Sequence, residues 1–199
     1  EMTSSLVGSE MCIRDRDRIN EKLHMKNIAL ENLSEIDEMT DIYNRRGFYR
    51  AAEAFIESNK GKDIIVCYAD MDNLKLVNDG YGHSEGDFSI KSLALCLKEA
   101  FGENGIVGRM GGDEFAAFIL SEKTEGIESI IGKKRRYIEH LNRTANKPYH
   151  IDMSMGFCEC VCENSYDFKE AVDKADGKLY DNKTERKRRN KNKVSETDH

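Results

Sequence analysis

Arg109-Met110-Gly111-Gly112-Asp113-Glu114-Phe115 stands between two apolar runs, Ile106-Val107 before it and Phe118-Ile119-Leu120 after it. This arrangement predicts a β-hairpin with an acidic tip. Paired glycines allow the positive φ angles of a tight strand-to-strand turn, and they leave no side chain between a ligand and the backbone. Asp113 and Glu114 place two carboxylates side by side on that turn, where a divalent cation bound through oxygen would relieve their repulsion. A solvated turn accounts for these residues equally well. The choice between the two readings depends on the rest of the chain.

Upstream, Asp63 to Met71 (Ile64, Ile65, Val66, Cys67, Tyr68, Ala69) is nearly continuously apolar, which predicts a central strand buried on both faces. It ends at Asp70-Met71-Asp72. In extended geometry Asp70 and Asp72 share one face at the strand's carboxyl end, where layered α/β folds commonly hold ligands. The alternative is that Asp70 caps or turns into a short helix predicted from Asn73 to Asn78. Backbone amides from Asn73 through Leu74 to Lys75 would then form an anion cradle beside the Lys75 ammonium. Gly80 to Asp87 is irregular, and Asn78 and Asp87 flank it. A carboxylate and an amide so placed suit the edge of guanine, while His83 reads as a loop histidine bonded to backbone. Ile90, Leu93, Ala94, Leu97 and Phe101 form a helical stripe started by Ser84 and stopped by Gly102.

Earlier still, Thr40 or Asp41 is expected to cap a helix running through Arg45 and Phe48 to about Ser58. Ile19, Leu23, Leu30 and Leu33 make a short seam interrupted by Lys26, so residues 13–37 form either a helical stalk or an amphipathic helix packed on the domain. Residues 1–12 show no period and are set apart as non-native in character. The string through Asp15-Arg16 resembles translated adapter sequence.

Downstream, residues 125–145 carry isoleucines at helical spacing, and Tyr149 to Phe157 alternates as a strand with Ile151, Met153 and Met155 on one side. Cys158, Cys160 and Cys162 follow on one face and read as incidental small residues, since no fourth metal ligand stands at a typical spacing. The last helix contains Phe168, Ala171, Val172, Ala175 and Leu179. Lys183 and Lys187 lie one turn apart on it, as two phosphate-binding cations would, before a basic stretch and a polar tail at 195–199.

With 199 residues, Lys+Arg 31, Asp+Glu 37 and a net charge of -6, the chain suits one domain with extensions and argues against a nucleic-acid partner. No apolar run approaches the roughly 18 to 20 residues that span a bilayer, so a cytoplasmic protein is expected, tethered to membrane only through a region not in this chain. The six cysteines need no disulfide framework.

Together these stretches resemble the diguanylate cyclase, or GGDEF, family, named for the sequence at Gly111 to Phe115. The resemblance also runs through Asp37 to Phe48, Asp70 to Asp87, Met153 to Gly156, and Ala175-Asp176 to Lys183, which places the domain at 38–194. It implies an α/β (α+β) fold: a central, mostly antiparallel five-stranded sheet surrounded by helices, akin to polymerase palms and nucleotide cyclases. It implies condensation of two GTP molecules into cyclic di-GMP and two pyrophosphates. Asp70, the Met71 carbonyl, Asp113 and Glu114 would hold two Mg²⁺ or Mn²⁺ ions per site, with Asp113 or Glu114 as proton acceptor. Asn78 and Asp87 would read guanine, Gly111 and Gly112 would lie against the nucleotide, and Asn73, Leu74, Lys75, Lys183 and Lys187 would take phosphates. Catalysis would need a homodimer, and a sensory domain would lie upstream.

Three departures stand out. Gly102 and Gly105 occupy the positions of the Arg-x-x-Asp inhibitory site found in product-inhibited members, so no inhibitory site is expected. Asp41 replaces a glycine, a change expected to be tolerable because the role there is mostly backbone, and Lys187 replaces an arginine. Two rival readings are a catalytically silent GTP-binding module and a cyclase for a mixed or adenine dinucleotide. The intact acid pair opposes the first, and the Asp87 carboxylate, complementary to guanine N–H groups, opposes the second.

Overall fold

The structure, a computed structural model, describes residues 34–161 and 163–197, with side chains through Glu185. Residues 1–12, the seam at 13–33, Cys162 and the Lys187 side chain lie outside the described residues. The described chain runs β1 (Tyr43–Asn44), α1 (Arg45–Ser58), β2 (Asp63–Met71), α2 (Leu74–Tyr81), α3 (His83–Phe101), β3 (Ile106–Gly111), β4 (Glu114–Leu120), α4 (Ile127–Thr144), β5 (Met153–Val161) and α5 (Ser165–Thr197). The strands form one sheet in the order β1-β3-β4-β2-β5, parallel only between β1 and β3. The expected α/β class and mostly antiparallel five-stranded sheet are both present.

β2 lies between β4 and β5, and its apolar run follows from that position. Ile65, Cys67, Ala69 and Met71 face one core, packed with Leu93, Leu97 and Phe101 of α3 and Ile130 and Ile138 of α4. Ile64 and Val66 face the other, packed with Phe48 and Ile56 of α1 and Phe168, Val172 and Ala175 of α5. Each of the buried Ile, Leu, Val, Phe and Met side chains contributes about 1.5–3 kcal/mol, so a register slip of β2 would be costly. Cys67, Cys96 and Cys158 are buried in these cores as free thiols.

Five local expectations are corrected. Residues 34–37 are not helical, because Ile36 instead forms an antiparallel bridge with Tyr43. Asn44, not Thr40 or Asp41, caps α1, its side chain accepting from the Gly47 N–H at 2.9 Å. Thr40 is occupied elsewhere: its N–H and hydroxyl donate to the Asp37 carboxylate at 3.0 and 2.6 Å, which closes a turn that leaves Asp41 at φ 53°. β5 begins at Met153 rather than Tyr149, because the backbone of Ile151 is pinned by the Asn142 side chain instead of a strand ladder. The helix before it is Ile127–Thr144, and the basic stretch beyond Lys183 continues α5 as helix to Thr197.

Candidate active site

The hairpin forms as the glycine pair predicts. Gly111 (φ 154°) and Gly112 (φ 49°) carry the turn, and a Cβ at either would meet nothing within 4 Å, so the backbone at the tip faces open space. Antiparallel pairing then sets Glu114 opposite Asp70, with Ser154 of β5 opposite Asp70 on the other side. The Met71 N–H donates to the Asp113 carbonyl at 3.1 Å, extending the ladder to the hairpin tip. Side chains opposite one another in a ladder share a face, so Asp70, Glu114 and Ser154 lie on the α1/α5 side of the sheet. Asp72, two residues past Asp70, joins them by accepting the Ser154 hydroxyl at 2.7 Å. Asp70 is therefore a strand residue beside other acids and not a helix cap.

Lys183 reaches this acidic corner from α5 and forms an ion pair with Asp70. Gly156 makes that reach possible. A Cβ there would sit 2.1 Å from the Ala175 carbonyl oxygen and 2.4 Å from the Leu179 nitrogen, so α5 lies directly on β5, and one turn after Leu179 the lysine arrives at Asp70. The Asp70 carboxyl is pushed above its ordinary value, chiefly by burial, with Asp113 and Asp72 adding repulsion and Lys183 pulling the other way. The corner thus offers oxygen donors to a cation: the Asp70, Asp113 and Glu114 carboxylates and the Met71 carbonyl. This donor set suits a hard divalent ion, and the Lys183 ammonium on Asp70 already occupies the place of a positive charge.

α2 begins one residue later than expected and runs on to Tyr81. Its N-cap, Asn73, is left-handed at φ 63° and makes no side-chain cap. Leu74 is half-buried and Lys75 exposed. Asn78 lies one turn before Gly82, and Asp87 lies in the first turns of α3, which starts at an exposed His83 and not at Ser84. The Asn78 Oδ1 is buried without a hydrogen-bond partner, against Gly86, where an added Cβ would come within 2.0 Å of it. A buried acceptor left unpaired costs about 1–3 kcal/mol, so the close contact of α2 with α3 at Gly86 is held against that cost. The pair Asn78 and Asp87 and the acids at the end of β2 are thus joined through α2.

Two supporting contacts were not anticipated from the sequence. Arg109 links the hairpin to Asp37, and the loop after α4 holds the turn between α2 and α3 through Glu85. Neither leaves a signal beyond isolated charged residues. Among the described residues, no group of three or more His, Cys, Asp or Glu stands close enough to hold a metal without rearrangement, and no helix is long and apolar enough to cross a membrane.

Residues 34–189 match the family model described as diguanylate cyclase, GGDEF domain. The chain belongs to that family. It is 28% identical over 173 residues to diguanylate cyclase DgcP of Escherichia coli, covering 84% of this chain and 50% of that one. It is 26% identical over 155 residues to cyclic di-GMP phosphodiesterase PdeB of Shewanella oneidensis, covering 76% of this chain and 17% of that one. These two relatives therefore extend well beyond the length this chain spans. The fold is similar to that of Pseudomonas aeruginosa diguanylate cyclase SiaD, solved with its activator SiaC, at a TM-score of 0.62 and 26% identity over 92% of this chain and 70% of that one.

Proposed function

We propose that this chain is a diguanylate cyclase module that condenses two GTP molecules into cyclic di-GMP and releases two pyrophosphates. The observation that carries the reading is the alignment of Asp70 with Glu114 across the β2–β4 ladder, with Asp113 joined to Met71 at the same end. Asp70, Asp113, Glu114 and the Met71 carbonyl hold divalent metal, two Mg²⁺ or Mn²⁺ ions, within domain 38–194. When bound, the metal lowers the pKa of the attacking 3′-hydroxyl and neutralises charge on the α-phosphate and leaving pyrophosphate.

This chain's residues supply the rest. Asp87 accepts from guanine N1–H and N2–H, and the Asn78 side-chain amide donates to O6 or N3. Gly111 and Gly112 let the nucleotide lie on the backbone. Amides at Asn73 and Leu74, with Lys75, Lys183 and Lys187, take the phosphates, and Lys183 exchanges Asp70 for a phosphate oxygen as substrate binds. The 3′-oxygen forms a bond to the α-phosphorus as the bond to pyrophosphate breaks, and Glu114 or Asp113 accepts the hydroxyl proton. One chain offers one such site, so closing the ring takes two chains facing each other as a homodimer. An upstream sensory region, reached through residues 13–37, would set that encounter.

The test is incubation with GTP and Mg²⁺ beside a Glu114→Gln control, with products identified by mass. Cyclic di-GMP from the parent alone is expected, and its absence under forced dimerisation overturns the reading. The relation to a phosphodiesterase favours one second reading, a GTP-binding module that signals without turnover. Binding without product in that assay would select it.

A further inference from the structure

We propose that Glu85, Lys147 and Tyr149 form a positioning clamp through which the loop at 145–152 sets the geometry of the base-reading turn, and with it the preference for guanine. The inference rests on the proposed roles of Asn78 and Asp87. These two residues stand on different helices, α2 and α3, joined only by Gly82 at φ 91°. α2 has eight residues and buries one side chain completely, Val77. A helix so short and so lightly packed does not hold its own orientation. Gly86 packs directly on Asn78 and Leu74, and a second restraint acts on the angle between α2 and α3 from outside the pair.

The loop after α4 supplies that restraint on both sides of Gly82. On the α3 side, Glu85 accepts from Lys147 Nζ at 2.7 Å and from the Tyr149 hydroxyl at 2.5 Å, and the Lys147 ammonium lies 4.4 Å from the centre of the Phe88 ring. On the α2 side, the Tyr81 hydroxyl donates to the Pro148 carbonyl at 3.3 Å, and the Tyr81 and Tyr149 rings lie 5.0 Å apart. Glu85 is two residues from Asp87, and Tyr81 is three from Asn78, so each contact fixes the helical turn carrying a base-reading group. The pair is partly shielded, with the Lys147 and Glu85 side chains 25% and 29% exposed. Burial and the Glu85 hydrogen bond push the Tyr149 hydroxyl up to about 12.

The other end of the loop is anchored to the acid site. Asn142 exchanges two hydrogen bonds with the Ile151 backbone at 2.8 and 2.7 Å. The Asp152 carbonyl accepts the Asp72 N–H at 2.9 Å, and Lys134 pairs with the Asp152 carboxylate. A loop held at one end by the acid-bearing strand and at the other by the base-reading turn fixes the spacing between the two. Such a role is one of positioning, since none of the three clamp residues touches the base.

The test measures binding of the α,β-methylene analogues of guanosine and inosine triphosphate by calorimetry, with melting temperature recorded in parallel. Inosine lacks the 2-amino group, so the ratio of the two affinities reports one hydrogen bond at the base edge. Glu85→Ala and Tyr149→Phe are expected to reduce that ratio about fivefold, the equivalent of one hydrogen bond, while Lys147→Arg and the distant surface control Lys62→Met keep it. A ratio unchanged in Glu85→Ala and Tyr149→Phe, with only the melting temperature lowered, overturns the clamp and leaves a packing contact. A parent chain that binds guanosine analogue but makes no cyclic di-GMP overturns the cyclase reading alone, and the ratio still decides the clamp. A parent that binds the two analogues alike overturns the clamp as a selectivity device.

Discussion

Arg109 and Asp37 join the hairpin tip to the opening of the domain. The Arg109 Nη1 donates to both Asp37 carboxylate oxygens at 3.2 and 3.3 Å, while its Nε and Nη2 donate to the Gly112 carbonyl at 3.0 and 2.7 Å. A single guanidinium therefore holds the turn that presents Asp113 and the turn through which the chain enters the domain. A lysine has no fork with which to make both contacts. Arg109→Lys is expected to lower stability by about 2 kcal/mol in urea denaturation, the scale of hydrogen bonds to a charged group, and to slow product formation at least tenfold.

The same pair gives stability a defined acid limit. Burial by itself would raise the Asp37 carboxyl, but the Thr40 hydrogen bonds and the Arg109 guanidinium outweigh it and hold the group below its ordinary 3.8. A carboxyl depressed in the folded state contributes stability above the unfolded value and loses it as pH falls through the folded one. Asp37→Asn should therefore cost stability at neutral pH and narrow the gap to the parent below about pH 3.8. Melting curves from pH 7 to pH 2 check this, and a constant gap would remove Asp37 from the account.

Crowded carboxylates at the proposed metal site should destabilise the metal-free fold. Asp70→Asn should abolish product yet melt higher than the parent in EDTA, because partial burial and the neighbouring acids disfavour the Asp70 charge by more than its pairing with Lys183 favours it. Mg²⁺ about a hundredfold above its dissociation constant should stabilise the parent by about 2.7 kcal/mol and the variant by much less. Equal Mg²⁺ shifts in both proteins would move the metal away from Asp70.

Gly156 tests how Lys183 is delivered. Gly156→Ala forces the α5 backbone off β5 and should destabilise by about 1–3 kcal/mol, as overpacking does. It should also raise the KM for GTP, as Lys183→Ala should, because the ammonium would no longer reach the phosphate side. If KM stays at the parental value in Gly156→Ala, the close approach of α5 serves stability only.

Gly105 bears on feedback. A Cβ at this position would fall 2.5 Å from the Phe101 Cβ, and Gly102 sits at φ 69°, so neither position presents the side chain an inhibitory guanine site requires. Initial rates of GTP consumption should be unchanged by added cyclic di-GMP at concentrations below those that compete with GTP. Non-competitive inhibition in that assay would reveal a second nucleotide site.

By itself, the sequence determined the elements whose cause lies within a few residues. Ile64 to Cys67 had to be a strand buried on both faces, because so dense an apolar run has no other low-energy placement among short elements. The glycine pair at Gly111 and Gly112 had to turn, which put Asp113 and Glu114 on that turn and left Asp70 at the end of its strand. Tertiary structure alone decided which partners these elements met. Asn44 rather than Thr40 caps α1 because Thr40 is held by Asp37, which is in turn held by an arginine 72 residues away. Lys183 meets Asp70 across 113 residues only because Gly156 admits α5 to the sheet, and Glu85 meets Lys147 across 62. Backbone period is a local property and can be read from a short window. Pairing of isolated charges depends on where whole helices pack, and no short window of sequence contains that.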